Sequence, residues 1–157
     1  GPGVTSGVRA VLDRLDERLR ADLAAYGLGR DRFGLIHADM RLGNLLVEGD
    51  RVAILDFDDS GFCWFAYDFA AAVSFHEAEA TVAELKDAWL SGYLPRRPLA
   101  REDIAAMDTM VLLRRMALLA WIGSHAETDL ARRHEPGYAE ATAALAEHYL
   151  GGRDLWV

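Results

Sequence analysis

Apolar residues recur at helical spacing in the first part of the chain. The residues from Val8 to Tyr26 predict one amphipathic helix, because an apolar side chain returns every three or four positions. Ser6 is the expected N-cap, and Gly27 or Gly29 is the expected end of the helix. The positions that define the apolar face are Val8, Val11, Leu12, Leu15, Leu19, Leu23 and Tyr26.

Two apolar runs follow, and their pattern changes from helical to extended. The runs 35–47 and 51–55 predict short strands on either side of a turn at 48–50. A polar segment inside the first run, 37–44, is expected to form a loop that enters the hairpin, and a second polar segment, 56–59, leaves it. We therefore expect the two polar segments to converge at one end of the hairpin.

The rest of the chain is predicted to be helical. Periodicity predicts helices over 68–78, 81–93 and 101–125, and the last is apolar nearly all round in its middle, which indicates a buried central element. The proline-bounded segment 95–98 interrupts the helical pattern. Pro136 opens a final predicted helix, 136–150. The predicted fold class is α+β and mostly α: a helical bundle with a small β-hairpin.

Composition narrows the class of protein. The 157 residues suffice for one domain, which we assign to 4–157, and Gly-Pro-Gly at 1–3 resembles the remnant of a cleaved tag. The formal net charge of -8 argues against nucleic acid as a partner and suits a cationic small substrate. The longest apolar run, 110–122, is too short to cross a membrane. Cys63 is the single cysteine, so we expect a cytoplasmic protein. The sequence leaves open whether the protein forms a homo-oligomer.

Acidic and amide side chains recur in the two polar segments beside the predicted hairpin. Asp39 and Asn44 are five positions apart, with His37 two positions before the aspartate, and an acidic segment at 56–59 follows the second strand. In phosphoryl transfer a carboxylate orients the attacking hydroxyl, while amide and carboxylate oxygens hold Mg²⁺. The spacing therefore indicates half of a phosphoryl-transfer site.

The His-x-Asp-x-x-x-x-Asn segment and the Leu-Asp-Phe-Asp-Asp segment at 55–59 resemble those of the aminoglycoside phosphotransferase and choline kinase superfamily, which includes kinases of homoserine and hydroxylysine. The resemblance implies the C-terminal lobe of a protein-kinase-like small-molecule kinase. It also implies Mg²⁺, ATP or GTP as phosphoryl donor, and the hydroxyl of a small alcohol, amino alcohol or aminoglycoside as acceptor. The resemblance implies that Asp39 is the catalytic base and that Arg41 stabilises the transferred phosphoryl group. It implies that Asn44 and Asp56 bind the metal and the cofactor, with Asp58 as a further metal ligand. His37 and Asp68 are the implied structural supports.

The acceptor in this superfamily lies between the catalytic loop and the C-terminal helices. Aromatic faces can hold an ammonium group, and a partly buried arginine needs an acidic partner. Arg114 is either a substrate contact or a brace for Asp68 or Asp108, and Arg41 is either a phosphoryl contact or a surface arginine. The candidate substrate contacts are Trp64, Tyr67, Arg114, Trp121 and His125, with Phe62 as a further lining residue.

A kinase of this kind also needs an N-terminal lobe with a glycine-rich loop and a strand lysine. Lys86 is the only lysine, and we interpret it as a solvated charge on a helix. We therefore expect the nucleotide lobe to be a missing partner of this chain, which alone is inactive or nearly so. Two alternatives stay open: a haloacid-dehalogenase-type phosphatase with Asp56 as nucleophile and Asp58 as general acid, or a non-catalytic kinase-like binding module.

Overall fold

The computed structural model describes residues 4–156, so the predicted tag remnant at 1–3 lies outside the described residues. Within 4–156 the chain forms six α-helices and four short strands, which confirms the predicted α+β, mostly helical fold class. The strands are β1 Phe33–Ile36, β2 Leu45–Glu48, β3 Arg51–Ile54 and β4 Gly61–Trp64, with a 3-10 turn over Leu42–Asn44. The helices are α1 Ser6–Tyr26, α2 Tyr67–Ala72, α3 Val82–Tyr93, α4 Arg101–Ser124, α5 Asp129–His134 and α6 Tyr138–Leu150.

The first helix forms where the periodicity predicts it, but its cap differs. Thr5 Oγ1 accepts a hydrogen bond from the N–H of Val8 at 3.3 Å, so Thr5 rather than Ser6 is the N-cap. Gly27 ends the helix at a φ of 76°, a left-handed value that glycine adopts without strain. The buried face of α1 packs on α4 and α6. It consists of Leu12, Leu15 and Leu19.

Two antiparallel two-stranded sheets stand where one hairpin is predicted. β2 pairs with β3 as expected, and β1 pairs with β4, with Ile36 opposite Gly61. The prediction of a strand over 35–47 is wrong in extent, because the chain leaves β1 and re-enters a strand only at β2. β4 carries little strand signal, since it has four residues and begins with glycine. The two pairings together bring the loops 37–44 and 55–60 to the same place.

The long helix α4 is the centre of the helical part. Its observed range differs by one residue from the predicted 101–125. The Asp103 carboxylate accepts the N–H of Ala100 at 2.8 Å and so stabilises the start of the helix. No helix in 4–156, α4 included, is long and apolar enough to cross a membrane. The side chains of α4 that form the main core are Ala106, Met107, Met110, Val111 and Leu112.

Two turn-forming residues change the predicted helix boundaries. The prediction over 68–78 is too long, because Phe75 has a φ of 72°, a value that no α-helix contains. The prediction over 136–150 begins two residues early, since Gly137 has a φ of 77° and precedes the first turn of α6. The short helix α5 is additional, and its six residues show no clear periodicity.

A buried ion pair joins α4 to the chain that follows α2. Arg115 Nη1 donates to Glu77 Oε2 at 2.8 Å, and the two side chains are 2% and 0% exposed. Arg115 Nε also donates to Thr142 Oγ1 at 3.0 Å, and the Tyr138 hydroxyl donates to the other oxygen of Glu77 at 3.4 Å. Burial raises the pKa of Glu77, and the guanidinium opposes that rise. Two buried charges are tolerated here because their hydrogen bonds are satisfied.

Candidate active site

Three side chains fix the carboxylate of Asp39. Arg114 of α4 donates from Nη2 to Oδ1 at 2.5 Å. Oδ2 accepts from Arg41 Nε at 3.1 Å and from Asn44 Nδ2 at 3.0 Å. The Asp39 side chain is 14% exposed, so these charge-assisted bonds act in a partly dry environment where they are strong. The carboxylate is therefore held in one position while still reachable from the adjoining cavity.

The backbone around Asp39 is fixed by Asp68, at the start of α2. Asp68 accepts the N–H of Ala38 at 2.8 Å and that of His37 at 3.2 Å, which offsets the strain of Ala38 at a φ of 68°. His37 Nδ1 accepts the N–H of Asp39 at 3.3 Å, so its Nε2 carries the proton that is donated to the carbonyl of Leu55 at 3.0 Å. The His37 ring thus ties the first polar loop to the second.

Asn44 and Asp56 lie close together because their loops are hydrogen-bonded. The N–H of Leu55 donates to the carbonyl of Asn44 at 2.9 Å. Asp56 has a φ of 63° and lines, together with Asp39, a cavity of about 390 Å³. Because Nδ2 of Asn44 donates to Asp39, its Oδ1 is the atom left to hold a cation.

These residues fit Mg²⁺ that arrives with a nucleotide. Mg²⁺ prefers oxygen ligands and is usually held by one or two carboxylates together with substrate phosphates. The Asn44 amide oxygen and the Asp56 carboxylate are such donors. Among residues 4–156 no group of three His, Cys, Asp or Glu side chains is placed to hold a metal ion on its own. These two oxygen ligands therefore suit an ion that is also bound by nucleotide phosphates, rather than an ion bound by protein side chains alone.

The structure places Asp59 in the cavity and leaves Asp58, the predicted further metal ligand, outside it. The N–H of Ser60 donates to the carbonyl of Phe57 at 3.0 Å and closes a turn across the two acids. Neighbouring side chains in such a turn point in different directions, so only one of the pair lines the cavity. Nothing in the local sequence distinguishes them.

Arg114 braces neither Asp68 nor Asp108, the two acids considered from the sequence. Its guanidinium bonds Asp39 instead, 75 residues away in the chain. Asp108 pairs with Lys86 at 2.5 Å, and both side chains are 18% exposed. The interpretation of Lys86 as a solvated charge is therefore wrong: it is a partly buried ion-pair partner that joins α3 to α4.

Besides Arg114, three of the predicted substrate contacts line the cavity or pack against a side chain that lines it. Trp121 lines it, and His125 stacks on the Trp121 ring with centroids 4.8 Å apart and planes 14° apart. Tyr67 lies behind Arg114, whose guanidinium carbon is 6.0 Å from the ring centroid. Burial raises the pKa of Tyr67, so its hydroxyl stays neutral at neutral pH.

The remaining aromatic candidates lie elsewhere. The Trp64 indole N–H donates to the carbonyl of Gly27 at 2.7 Å, and its ring meets Phe33 edge to face. The pairing of β1 with β4 turns Trp64 toward the end of α1 and away from the cavity, so its role as a substrate contact stays a prediction without support from this geometry. Phe62 is 75% exposed on the same strand and does not line the cavity.

An apolar wall extends the cavity along α4, and sequence reasoning missed most of it. Trp121 follows Arg114 by seven positions, which is about 10 Å along a helix. The wall draws on the segment after α2, on α4 and on α5, so no local pattern marks it. Its other members are Phe75, Ala117, Leu118 and Leu130.

Residues 2–108 match the phosphotransferase enzyme family (APH), a range that covers more than half of the chain and includes both polar loops. The chain belongs to this family. Asp39 and Asp56 line the smaller of two cavities in the described part of the chain, about 390 Å³. The larger, about 870 Å³ between α1, α4, α5 and α6, contains none of the predicted catalytic residues.

The chain is similar to longer kinases. It is 30% identical over 138 residues to homoserine kinase of Methylobacillus flagellatus, covering 79% of this chain and 42% of that protein. It is 43% identical to the structure of the microcompartment-associated aminopropanol kinase, with a TM-score of 0.89 over 98% of this chain and 49% of that one. A complex of amicoumacin kinase hAmiN with AMP-PNP, Ca²⁺ and Ami shares the fold at 22% identity and a TM-score of 0.64, over 87% of this chain and 46% of that one. The chain thus spans less than half the length of each.

The family and the fold contradict the dehalogenase-type phosphatase alternative. That chemistry requires a parallel sheet in which strands and helices alternate. Here Asp56 follows an antiparallel hairpin, and the chain after β4 is helical. Lys86, the only lysine available to such a site, is occupied by Asp108.

Proposed function

We propose that this chain is the C-terminal lobe of a kinase that transfers the γ-phosphoryl group of ATP or GTP to the hydroxyl of a small amino alcohol. The observation that carries the proposal is the meeting of Asp39 and Asp56 at one cavity, with Asn44 bonded to Asp39. The aminopropanol and homoserine kinases among the similar proteins support this reaction class.

Asp39 is the proposed catalytic base. Its carboxylate orients the acceptor hydroxyl and takes its proton while the hydroxyl oxygen attacks the γ-phosphorus. The bond from that phosphorus to the bridging oxygen breaks, and the nucleoside diphosphate leaves. Arg114 keeps the carboxylate in position, and Arg41, which lines the cavity and is 36% exposed, is the proposed contact of the transferred phosphoryl group.

Asn44 and Asp56 are the proposed holders of Mg²⁺. When bound, Mg²⁺ neutralises charge on the β- and γ-phosphates. The Asn44 amide nitrogen already donates to Asp39, so its amide oxygen would hold the cation next to the proposed base. This arrangement aligns the acceptor with the phosphoryl donor.

The lining of the cavity favours an amino alcohol over a neutral alcohol. Aspartates outnumber arginines in it, because Asp59 lies beside the two acids already described. The Trp121 ring lines the cavity and can attract an ammonium group by cation–π interaction, and His125 stacks on that ring and fixes its orientation.

The hairpin of β2 and β3 carries apolar side chains that are 40% to 66% exposed. An isolated two-stranded hairpin is only marginally stable, and an exposed apolar patch marks a surface that another element covers. We propose that the covering element is the N-terminal nucleotide lobe. A cytoplasmic location, where ATP and GTP are available, belongs to the same proposal. The exposed side chains of the hairpin are Leu46, Val47, Val52 and Ile54.

The function is tested on the full-length protein that contains this chain. We expect Mg²⁺-dependent transfer to amino alcohols, measured as nucleoside diphosphate release, and little or no turnover by the isolated chain. Asp56→Asn should lower kcat roughly 100-fold and raise the Mg²⁺ concentration required. Asp87→Asn, at an exposed position of α3, is the matched control. Absence of transfer to every amino alcohol tried would favour the non-catalytic binding module instead.

Replacing Arg114 with Met tests whether this side chain positions the base. Methionine keeps the aliphatic bulk but removes the hydrogen bonds to Asp39, so kcat should fall about tenfold through lost orientation. The KM for nucleotide should stay unchanged. Steady-state kinetics of this variant and of Arg101→Met, at an exposed position of the same helix, measure the effect. A kcat within twofold of the unmodified protein would contradict the role.

A further inference from the structure

Phe75 adopts the left-handed backbone region although it is not glycine. Within 4–156, the non-glycine residues with positive φ are Ala38 at 68°, Asp56 at 63° and Phe75 at 72°. Ala38 precedes the proposed base, Asp56 is the proposed metal ligand, and Phe75 lines the same cavity. Such strain persists only where the surroundings impose it, and it is concentrated at functional sites. We therefore expect Phe75 to have a functional role in this cavity.

Two consecutive arginines of α4 hold the segment around Phe75. Arg114 Nε donates to Ser74 Oγ at 3.0 Å, just before the ring, and Arg115 Nη1 donates to Glu77 at 2.8 Å, just after it. Adjacent helix positions are about 100° apart, so one arginine faces the cavity and the other the core. Because Arg114 also holds the proposed base, the position of the ring is fixed relative to that base.

Aromatic neighbours fix the ring itself. Phe75 stacks on His134 of α5, with centroids 4.0 Å apart and planes 21° apart, and its centroid is 6.1 Å from that of Tyr138. Burial lowers the pKa of His134, which keeps this partner neutral at neutral pH. Phe75 then lines the cavity beside Leu118 and Trp121. The ring is a rigid part of the apolar wall rather than a mobile surface group.

We propose that Phe75 sets the length of the acceptor by closing the apolar part of the cavity. The inference rests on the proposed function and adds the specificity-determining residue. A short amino alcohol places its hydroxyl at Asp39 and its ammonium group at the Trp121 face, and the Phe75 ring limits the space left for the carbon chain between them. A longer carbon chain would clash with the Phe75 ring, which cannot move aside because hydrogen bonds to α4 hold the backbone segment on both sides of it.

The test compares two acceptors, aminopropanol and aminohexanol, in the full-length protein. Phe75→Leu shortens the wall, so the ratio of kcat/KM for the short acceptor to that for the long one should fall about tenfold. Phe75→Gly relieves the backbone strain and opens the wall further, so its ratio should fall more. The KM for nucleotide should not change in either variant. Phe65→Leu makes the same chemical change outside the cavity and should leave the ratio unchanged.

The outcomes separate this inference from the function on which it rests. An unchanged ratio in both Phe75 variants, with Tm showing that they are folded, overturns the role of Phe75 and leaves the kinase proposal intact. An unmodified full-length protein that transfers phosphoryl to neither acceptor overturns the proposed function and this inference with it. A fall in the ratio that Phe65→Leu reproduces also overturns the inference, because the effect is then not local to the cavity.

Discussion

Asp39→Asn is expected to lower kcat of the full-length protein about 1,000-fold, because general-base catalysis typically contributes two to four orders of magnitude. An amide has nearly the shape of the carboxylate but cannot accept the proton of the acceptor hydroxyl. It also cannot make the ion pair with Arg114 that the carboxylate makes at 2.5 Å. Single-turnover kinetics with saturating Mg²⁺ and nucleotide measure the chemical step directly.

The control for this prediction is Asp50→Asn, the same change at an exposed position in the turn of the hairpin. We expect nucleotide affinity to change less than about twofold in both variants, since Asp39 is not a proposed cation ligand. A kcat for Asp39→Asn within tenfold of the unmodified protein would show that another group accepts the proton.

Arg115→Ala is expected to lower the free energy of unfolding by about 3–5 kcal/mol, the usual cost of removing one member of a buried ion pair. Glu77 is 0% exposed and would be left without its cationic partner. Urea unfolding of the isolated chain, followed by tryptophan fluorescence, measures the loss. Arg132→Ala is the matched control, because its partner Asp129 is 93% exposed and such pairs contribute little.

The pH dependence of the Arg115 variant tests the cause of its instability. Burial raises the pKa of Glu77, and loss of the guanidinium removes the charge that opposes this rise. A carboxyl whose pKa is higher in the folded than in the unfolded state holds its proton more tightly when folded, so stability falls as pH rises between the two values. The deficit of Arg115→Ala should therefore be smaller at pH 5 than at pH 7. An equal deficit at both values would assign the loss to packing.

Much of the fold is predictable from local pattern because the interactions that decide it are local. The periodicity of α1 and α4 gives their ranges to within one or two residues, since a helix is recognised by contacts three and four positions apart. The spacing of Asp39, Asn44 and Asp56 likewise predicts two adjacent loops, because a short hairpin must bring its flanks together. These residues could be named before any coordinates.

Other features depend on contacts that no window of sequence contains. The partner of Asp39 comes from α4, and the segment around Phe75 is held by two arginines about 40 residues further along. Trp64 turns away from the site because β4 pairs with β1. Such contacts are decided by the packing of whole elements, and packing depends on the total burial of apolar surface rather than on neighbours in the chain. The loops that carry the proposed chemistry are therefore predictable from the sequence alone. The cavity walls that we propose select the acceptor are formed only by the tertiary structure.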